Sequence, residues 1–413
     1  MFMSSTYFSC FHDADGQNTQ SLETPSESPV NIVVLGSTGS IGRSTLEVIA
    51  ASGGTLRPIA IAAHRSIDRL AEQMVRFRPA YVVVTDLHAA DEFLKTYRTQ
   101  IPPKTELLVG EEGISQAIRD PRTQMVLSAI VGFAGLRSTW EAVDAGRTVA
   151  LANKESLVVG GELITKRAAE TGAKILPVDS EHSAIFQTLR CGRRDELRRI
   201  LLTASGGPFR TTPVSELRSI TPAQALAHPT WQMGPKVTID SATLINKALE
   251  IIEAKWLFGL SADEIDVVIH PQSIVHSMVE YRDGSVIAQL GQPDMRLPIH
   301  HALYQTRRPE SVAARLDWTS NRQLEFFAPD RDRFPAIGLG LRVVRDGGIS
   351  GAVLNAADEI AVVAFLNGIL PFDRIVPMVE NELSQYTNRP VASLTQLAQV
   401  DAAVREEVRS RIC

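Results

Sequence analysis

Asn31-Ile-Val-Val-Leu-Gly36-Ser-Thr-Gly39-Ser-Ile-Gly42 decides the fold. An apolar, β-branched run stops at the first of three glycines spaced three apart, and residues 43–51 then carry a helical pattern. Strand, glycine turn and helix, in that order, open a nucleotide-binding α/β unit. The glycines allow a tight turn, and backbone N–H groups at the positive end of the helix can approach a pyrophosphate. The spacing is G-x-x-G-x-x-G rather than the commoner G-x-G-x-x-G, so the loop alone also fits a glycine turn without ligand. Outward from it, short apolar runs at 58–63, 81–85, 125–129 and 148–151 alternate with helical patterns such as 67–77. Strands alternating with helices imply right-handed crossovers and a mostly parallel sheet.

Composition narrows the class. The 413 residues hold 42 Lys and Arg against 47 Asp and Glu, a formal charge of −5. Such a chain has no electrostatic footprint for binding nucleic acid or an anionic membrane as its main task. Hydrophobic residues at 44% and charged ones at 22% leave ample material for a core. No apolar run approaches the roughly 20 residues of a spanning helix. Cys10, Cys191 and Cys413 are too few and too far apart for a disulfide framework or a four-thiolate zinc site. A cytoplasmic protein of two to four domains is expected at roughly 100–200 residues per domain.

Residues 1–30 are rich in Ser and Thr, carry Asp13, Asp15, Glu23 and Glu27, and precede the first Lys or Arg, Arg43. That pattern is neither a secretory signal nor an Arg-rich transit peptide, and reads as a disordered tail or as a start codon placed upstream of the true one. A nucleotide-binding domain is expected over 31–178, and the polar chemistry over 179–304. A connector is expected over 305–330, and a helical domain over 331–413.

The second apolar run says which nucleotide. It ends Ala62-Ala63-His64-Arg65-Ser66, with no acid before Asp68. NAD-binding chains place an acid there for the ribose 2′-hydroxyl, whereas Arg65 suits a 2′-phosphate, the other reading being an ordinary surface arginine. NADPH is favoured.

The remaining chemistry sits in short blocks: 151–158 (LANKESLV), 177–182 (PVDSEH), 203–209 (TASGGPF), 228–234 (HPTWQMG) and 240–250 (DSATLINKALE). Asp179 and Glu181 are two apart, which on an extended segment points both carboxylates to one side. Two hard oxygen ligands, with no Cys or His at zinc spacing, indicate Mg²⁺ or Mn²⁺; paired acids on a surface loop can also be merely solvated. The segment 240–258 reads as one helix on which Asn246, Lys247 and Glu250 share a face at three- and four-residue spacing. Ser205, Ser241, Asn246 and Lys247 offer donors for a phosphate monoester. Trp231 and Met233 on a Pro/Gly segment suggest either a loop tucked onto its own domain or a flap, near 226–236, that excludes water. Lys154 follows the strand 148–151, at the edge where ligands bind in parallel α/β sheets.

Together with GSTGSIG at 36–42 and IHPQSIVHSMVEY at 269–281, these blocks closely resemble the 1-deoxy-D-xylulose 5-phosphate reductoisomerase family. The likeness runs from about Asn31 to the end and includes LNAADEIAV in the C-terminal helices. It implies an α/β fold with an N-terminal Rossmann-like NADPH domain, a central α+β catalytic domain and a C-terminal α-helical domain. It implies NADPH- and metal-dependent conversion of the sugar phosphate to 2-C-methyl-D-erythritol 4-phosphate by a homodimer. Asp179, Glu181 and Glu250 would hold the metal and, with Lys154, be catalytic. Lys154, Ser180, Glu181, Ser205, His228, Trp231, Ser241, Asn246, Lys247 and Glu250 would bind substrate. Gly36, Ser37, Thr38, Gly39, Ser40, Ile41, Gly42, His64, Arg65, Ser66, Asn153, Glu155 and Gly234 would bind the cofactor. The sequence departs from the commonest pattern at His64 and Ser66, where Gly and Asn are more usual, and at Ala248, Thr230 and Ser183. Two other readings are a simple NADP-dependent dehydrogenase of a phosphorylated sugar and a non-catalytic NADPH-sensing protein.

Overall fold

The computed structural model describes residues 28–227, 231, 233–305, 307–320 and 323–412. The tail reading for the first residues and the His228 assignment therefore lie largely or wholly outside the described residues.

The first seven strands are short and mostly apolar: β1 (Val30–Leu35), β2 (Leu56–Ala63), β3 (Tyr81–Val84), β4 (Glu106–Val109), β5 (Met125–Ser128), β6 (Thr148–Leu151) and β7 (Ile175–Pro177). They form one parallel sheet in the order β4-β3-β2-β1-β5-β6-β7. Ile32 to Leu35 and Met125 to Leu127 are fully buried, as expected where helices cover both faces. The covering helices are α1 (Ser40–Ala50), α2 (Ile67–Phe77), α3 (Leu87–Tyr97), α4 (Gly110–Arg119), α5 (Gly135–Asp144) and α6 (Lys154–Thr171). The strand order reverses between β1 and β5, so a crevice opens beyond their carboxyl ends, where open α/β sheets bind ligands. The glycine loop after β1 lies there.

The chain continues through α7 (Ser180–Thr188), β8 (Leu197–Ala204), α8 (Pro222–Ala225), α9 (Pro235–Thr243), α10 (Ile245–Phe258), β9 (Ile265–Ile269), β10 (Val275–Tyr281), β11 (Val286–Leu290) and α11 (Arg296–Leu303). The four strands form a second sheet in the order β11-β10-β8-β9, with β10 antiparallel to both neighbours. The segment 240–258 is two helices rather than one. Leu244 takes a left-handed conformation (φ 60°) between α9 and α10, a backbone state costing a non-glycine residue about 1–2 kcal/mol. Its side chain is buried in the core, and that burial offsets the cost.

Four helices follow: α12 (Ala336–Asp346), α13 (Ser350–Leu366), α14 (Ile375–Gln385) and α15 (Leu394–Ile412). Helix α13 is apolar around most of its circumference because α14, α15 and α6 all pack on it. The stretch 305–330 is not a free connector throughout: Phe327 exchanges both backbone hydrogen bonds with Ile269, each 2.9 Å. Among the described residues no helix is long and apolar enough to cross a membrane.

One buried base gives a pH prediction. His301 on α11 packs against the edge of Phe186, and burial, then Arg308 and Arg190, push its pKa down to about 4. Between that value and about 6.5 the unfolded chain binds more protons than the native state, so stability falls as pH drops through this window. Urea unfolding should lose about 2 kcal/mol between about pH 7 and pH 5 from this group alone. His301→Phe should remove that share; an unchanged acid slope in the variant would reject the assignment.

Candidate active site

A cleft of about 1160 Å³ runs from the glycine loop to the block residues of α7, α9 and α10. At its nucleotide end the glycines are required by contact. Gly36 has φ 73°, and a Cβ there would lie 2.6 Å from the Ala129 carbonyl oxygen. A Cβ on Gly42 would lie 2.3 Å from the Gly36 oxygen. Gly39 caps α1 without a side chain, and Gly36, Gly39, Ser40, Ile41 and Gly42 border the cleft. Ser37 does not. It is fully buried, its hydroxyl donating to Gln73 Oε1 (2.7 Å) and its N–H to the Ala62 oxygen (2.9 Å), so it braces the loop from behind. Thr38 offers its carbonyl to Arg69 (3.0 Å) and likewise does not line the cleft.

The end of β2 is arranged differently from its sequence reading. Arg65 is largely exposed and engages Asp86 through Nε and Nη2, each 2.9 Å. His64 reaches Thr85 at 2.9 Å, and Ser66 caps α2 without a side-chain bond. Asp86 caps α3, and the Ala89 N–H with Arg65 holds its carboxyl below the usual range. An acid does stand beside Arg65, delivered by β3 rather than β2, and no spacing within 62–68 signals it.

At the other end Asp179, Glu181 and Glu250 bring one carboxylate oxygen each to within 4.8 Å of one another. Asp179 and Glu181 lie not on an extended segment but at the N-cap and in the first turn of α7, where the positive end of the helix favours carboxylates. Lys154, the first residue of α6, pairs with Asp179 and lies 2.9 Å from Asn246 Oδ1 and 3.4 Å from Glu250 Oε1. Lys247 pairs with Glu250 and lies 2.8 Å from Glu181. Asn246 Nδ2 donates to Glu250 Oε1 at 2.5 Å, and Ser180 donates to Glu181 at 2.6 Å. Burial alone would lower the Lys154 pKa, but Asp179 and Glu250 outweigh it and hold the ammonium well above its ordinary value. Burial and the Glu181 carboxylate push Glu250 up to about 8.

Three carboxyl groups crowd two ammonium groups, and the raised Glu250 pKa reflects that crowding of acids in a buried place. All the donors are hard oxygens, so the set fits a small divalent cation and would gain from one. Ser205 and Ser241 line the same cleft, as do Trp231, Met233 and Gly234. The Trp231 ring centre is 6.4 Å from that of His276.

Family models described as 1-deoxy-D-xylulose 5-phosphate reductoisomerase match residues 32–161, and models of its C-terminal domains match 175–258 and 290–407. A protein of that name from Methylobacillus flagellatus is 47% identical over 380 residues, covering 91% of this chain and 96% of its own. The chain belongs to the 1-deoxy-D-xylulose 5-phosphate reductoisomerase family. One from Chloroherpeton thalassium is 48% identical over 377 residues, covering 91% and 97%. The solved Zymomonas mobilis reductoisomerase in complex with NADPH aligns with TM-score 0.87 at 42% identity, covering 93% of this chain and 99% of that one. A family structure in complex with NADPH, fosmidomycin and magnesium gives 0.87 at 38% identity, covering 93% and 98%.

In this reductoisomerase-family chain Asn153 is buried and acts as a brace. Its side chain accepts from the Ser156 N–H (2.9 Å) and donates to the Gly132 oxygen (3.0 Å) and Glu155 (3.1 Å). His182, fully buried, donates through Nε2 to the Glu250 carbonyl oxygen at 2.9 Å and fixes that turn of α10. His276 and Lys236 line the cleft but were not among the residues read from sequence. His276 is the second residue of β10, VHSMVEY, where alternation alone does not say which face meets a ligand.

Proposed function

We propose that this chain rearranges and reduces 1-deoxy-D-xylulose 5-phosphate to 2-C-methyl-D-erythritol 4-phosphate, with NADPH and Mg²⁺ or Mn²⁺, in isoprenoid precursor biosynthesis. The observation that carries the reading is the convergence of Asp179, Glu181 and Glu250 in the cleft that begins at the glycine loop. Asp179, Glu181 and Glu250 would hold the cation, which when bound polarises the ketone oxygen and steadies negative charge on the rearranging skeleton. NADPH supplies the hydride that traps the rearranged aldehyde.

The remaining work falls to side chains. Lys154 holds a permanent positive charge beside the carboxylates and can stabilise developing oxyanion charge without moving. Asn246 and Ser180 orient Glu250 and Glu181 through the hydrogen bonds above. Ser205, Ser241, Asn246 and Lys247 supply donors for the phosphate; fosmidomycin, a phosphonate, in family structures supports that class of ligand. Trp231, near His276, supplies apolar cover that excludes water. Arg65 would meet the 2′-phosphate while sharing its guanidinium with Asp86. The homodimer and the cytoplasmic setting are part of the same proposal; sedimentation would test the first.

The protein with deoxyxylulose phosphate, Mn²⁺ and NADPH should consume NADPH, only when all three are present, and lose that activity to EDTA. The product should carry a branched skeleton. A reduced but unbranched product would point to a simple dehydrogenase and overturn the proposal.

A further inference from the structure

A second buried charged cluster, of which Glu155, Lys236 and Asp240 line the cleft, takes no part in the chemistry proposed above. Lys236, in the first turn of α9, lies 2.6 Å from Asp240, 2.9 Å from Asp358 and 3.6 Å from Glu155. Asp240 and Asp358 are almost wholly inaccessible, and Asp358 comes from the middle of α13, far along the chain. The next residue on α13, Glu359, accepts a 3.0 Å bond from the Phe133 N–H and pairs with Arg405 at 2.6 Å. A Cβ on Gly132, whose φ is 74°, would lie 2.7 Å from Glu359 Oε1, so this contact is close-fitting. Gly132 and Phe133 directly follow Ala129, Ile130 and Val131, which line the cleft. Adjacent residues of one helix thus grip two segments that border the site.

What α9 does next gives the grip a consequence. Helix α9 runs without a loop through Leu244 into α10, which carries Asn246, Lys247 and Glu250. Glu155, the third acid on Lys236, is the residue after Lys154, which pairs with Asp179. Any shift of the first turn of α9 is therefore passed to both sides of the carboxylate cluster and to Gly234 at the N-cap. We propose that Asp358 and Lys236 are positioning residues of the reaction: their 2.9 Å contact lets α13 fix α9 against α6 and so sets the geometry of the cleft between glycine loop and carboxylates. This rests on the NADPH-dependent reading above. Three acids face one ammonium, and burial pushes Asp358 upward while burial and Asp358 push Asp240 well upward. An asparagine at 358 keeps an acceptor for Lys236 while relieving that surplus, and is the conservative replacement.

The test compares Asp358→Ala, Lys236→Met, the double variant and Asp358→Asn in the full chain. It measures NADPH affinity by fluorescence titration, kcat, and the isotope effect with NADPH deuterated at the transferred hydrogen. Each single variant should lower kcat by about 10- to 100-fold, as expected for a displacement near 1 Å, and should raise the isotope effect. The double variant should be no worse than the poorer single by more than about threefold, because both remove one interaction. Asp358→Asn should stay within about threefold of the parent protein. A parent-like kcat and isotope effect in Asp358→Ala overturns the proposal, as do losses that multiply in the double variant. Should Asp358→Ala not fold, Lys236→Met decides: a kcat lowered about 10- to 100-fold with a raised isotope effect supports the proposal, and a parent-like kcat overturns it. NADPH affinity reads the coupling without turnover. If the parent protein binds NADPH but does not consume it with the sugar phosphate, the reading of function fails while the titrations still test the positioning.

Discussion

Asp179→Asn should lower kcat by about a thousandfold or more while leaving NADPH affinity within about threefold of the parent protein. The Asp179 carboxylate is one of three around the proposed cation and the close partner of Lys154. Burial would raise its pKa, yet Lys154 and then His182 hold it well below the usual carboxylate range, so it is charged at any working pH. An amide of the same shape removes one of the negative charges that attract the cation. It also leaves Lys154 with Glu250 at 3.4 Å and the Asn246 oxygen as its remaining partners. Losing a ligand of the cation forfeits Lewis-acid polarisation worth several kcal/mol in the transition state, about three decades or more in rate. Asparagine caps a helix as well as aspartate does and Asp179 makes no side-chain cap bond, so α7 itself should persist, and a parent-like NADPH affinity shows that the variant is folded. Steady-state kinetics and a Mn²⁺ titration check it: kcat should collapse and Mn²⁺ binding should weaken together. Near-normal turnover would sink the metal assignment.

The parts legible in the sequence are those fixed by local pattern. The helix predicted at 67–77 is α2 at those bounds, and 148–151 is β6, because apolar periodicity is a property of neighbouring residues. The glycine loop was legible for the same reason, down to its place between strand and helix. Asp179, Glu181 and Glu250 were named from their blocks, but how they meet was not legible. Pro177 ends β7 and α7 begins at Ser180, so Asp179 and Glu181 stand at a helix start instead of on a prolonged strand. The break at Leu244 was hidden because a left-handed leucine leaves no signature; only tertiary burial stabilises it. Ser37 reads as one more residue of a phosphate loop, yet its partner Gln73 lies 36 residues on. Asp86 beside Arg65, and Asp358 beside Lys236, are likewise contacts between elements far apart in the chain. Sequence pattern carries the elements and the chemistry of the donors, and the packing of helices on sheets decides which donors face one another.

Gly42→Ala should abolish high-affinity NADPH binding, by about a hundredfold or more, without disturbing Mn²⁺ affinity. Helix propensity argues the other way, since alanine in place of glycine favours a helix by about 1 kcal/mol. Contact decides against it. The added Cβ would stand 2.3 Å from the Gly36 oxygen and 2.5 and 2.6 Å from Ser37 Cα and carbonyl carbon, all of them backbone. These atoms cannot rotate away as a side-chain end would. Gly36 is packed close against the Ala129 carbonyl, and Ser37 is tied through its N–H, hydroxyl and carbonyl to Ala62 and Gln73. The loop must therefore open by about 1 Å, and a displacement of that size in a positioning element costs about two decades. Gly39→Ala is the control, because its Cβ would meet the Gly36 oxygen at 3.3 Å, a contact that a few tenths of an ångström relieves. It should stay within about fivefold of the parent protein. Fluorescence titration with NADPH reads both variants, and a Mn²⁺ titration shows whether the carboxylate end is intact. Equal affinities in the two variants would mean that the glycine loop does not receive the cofactor's phosphates, and that the nucleotide enters the cleft by another edge.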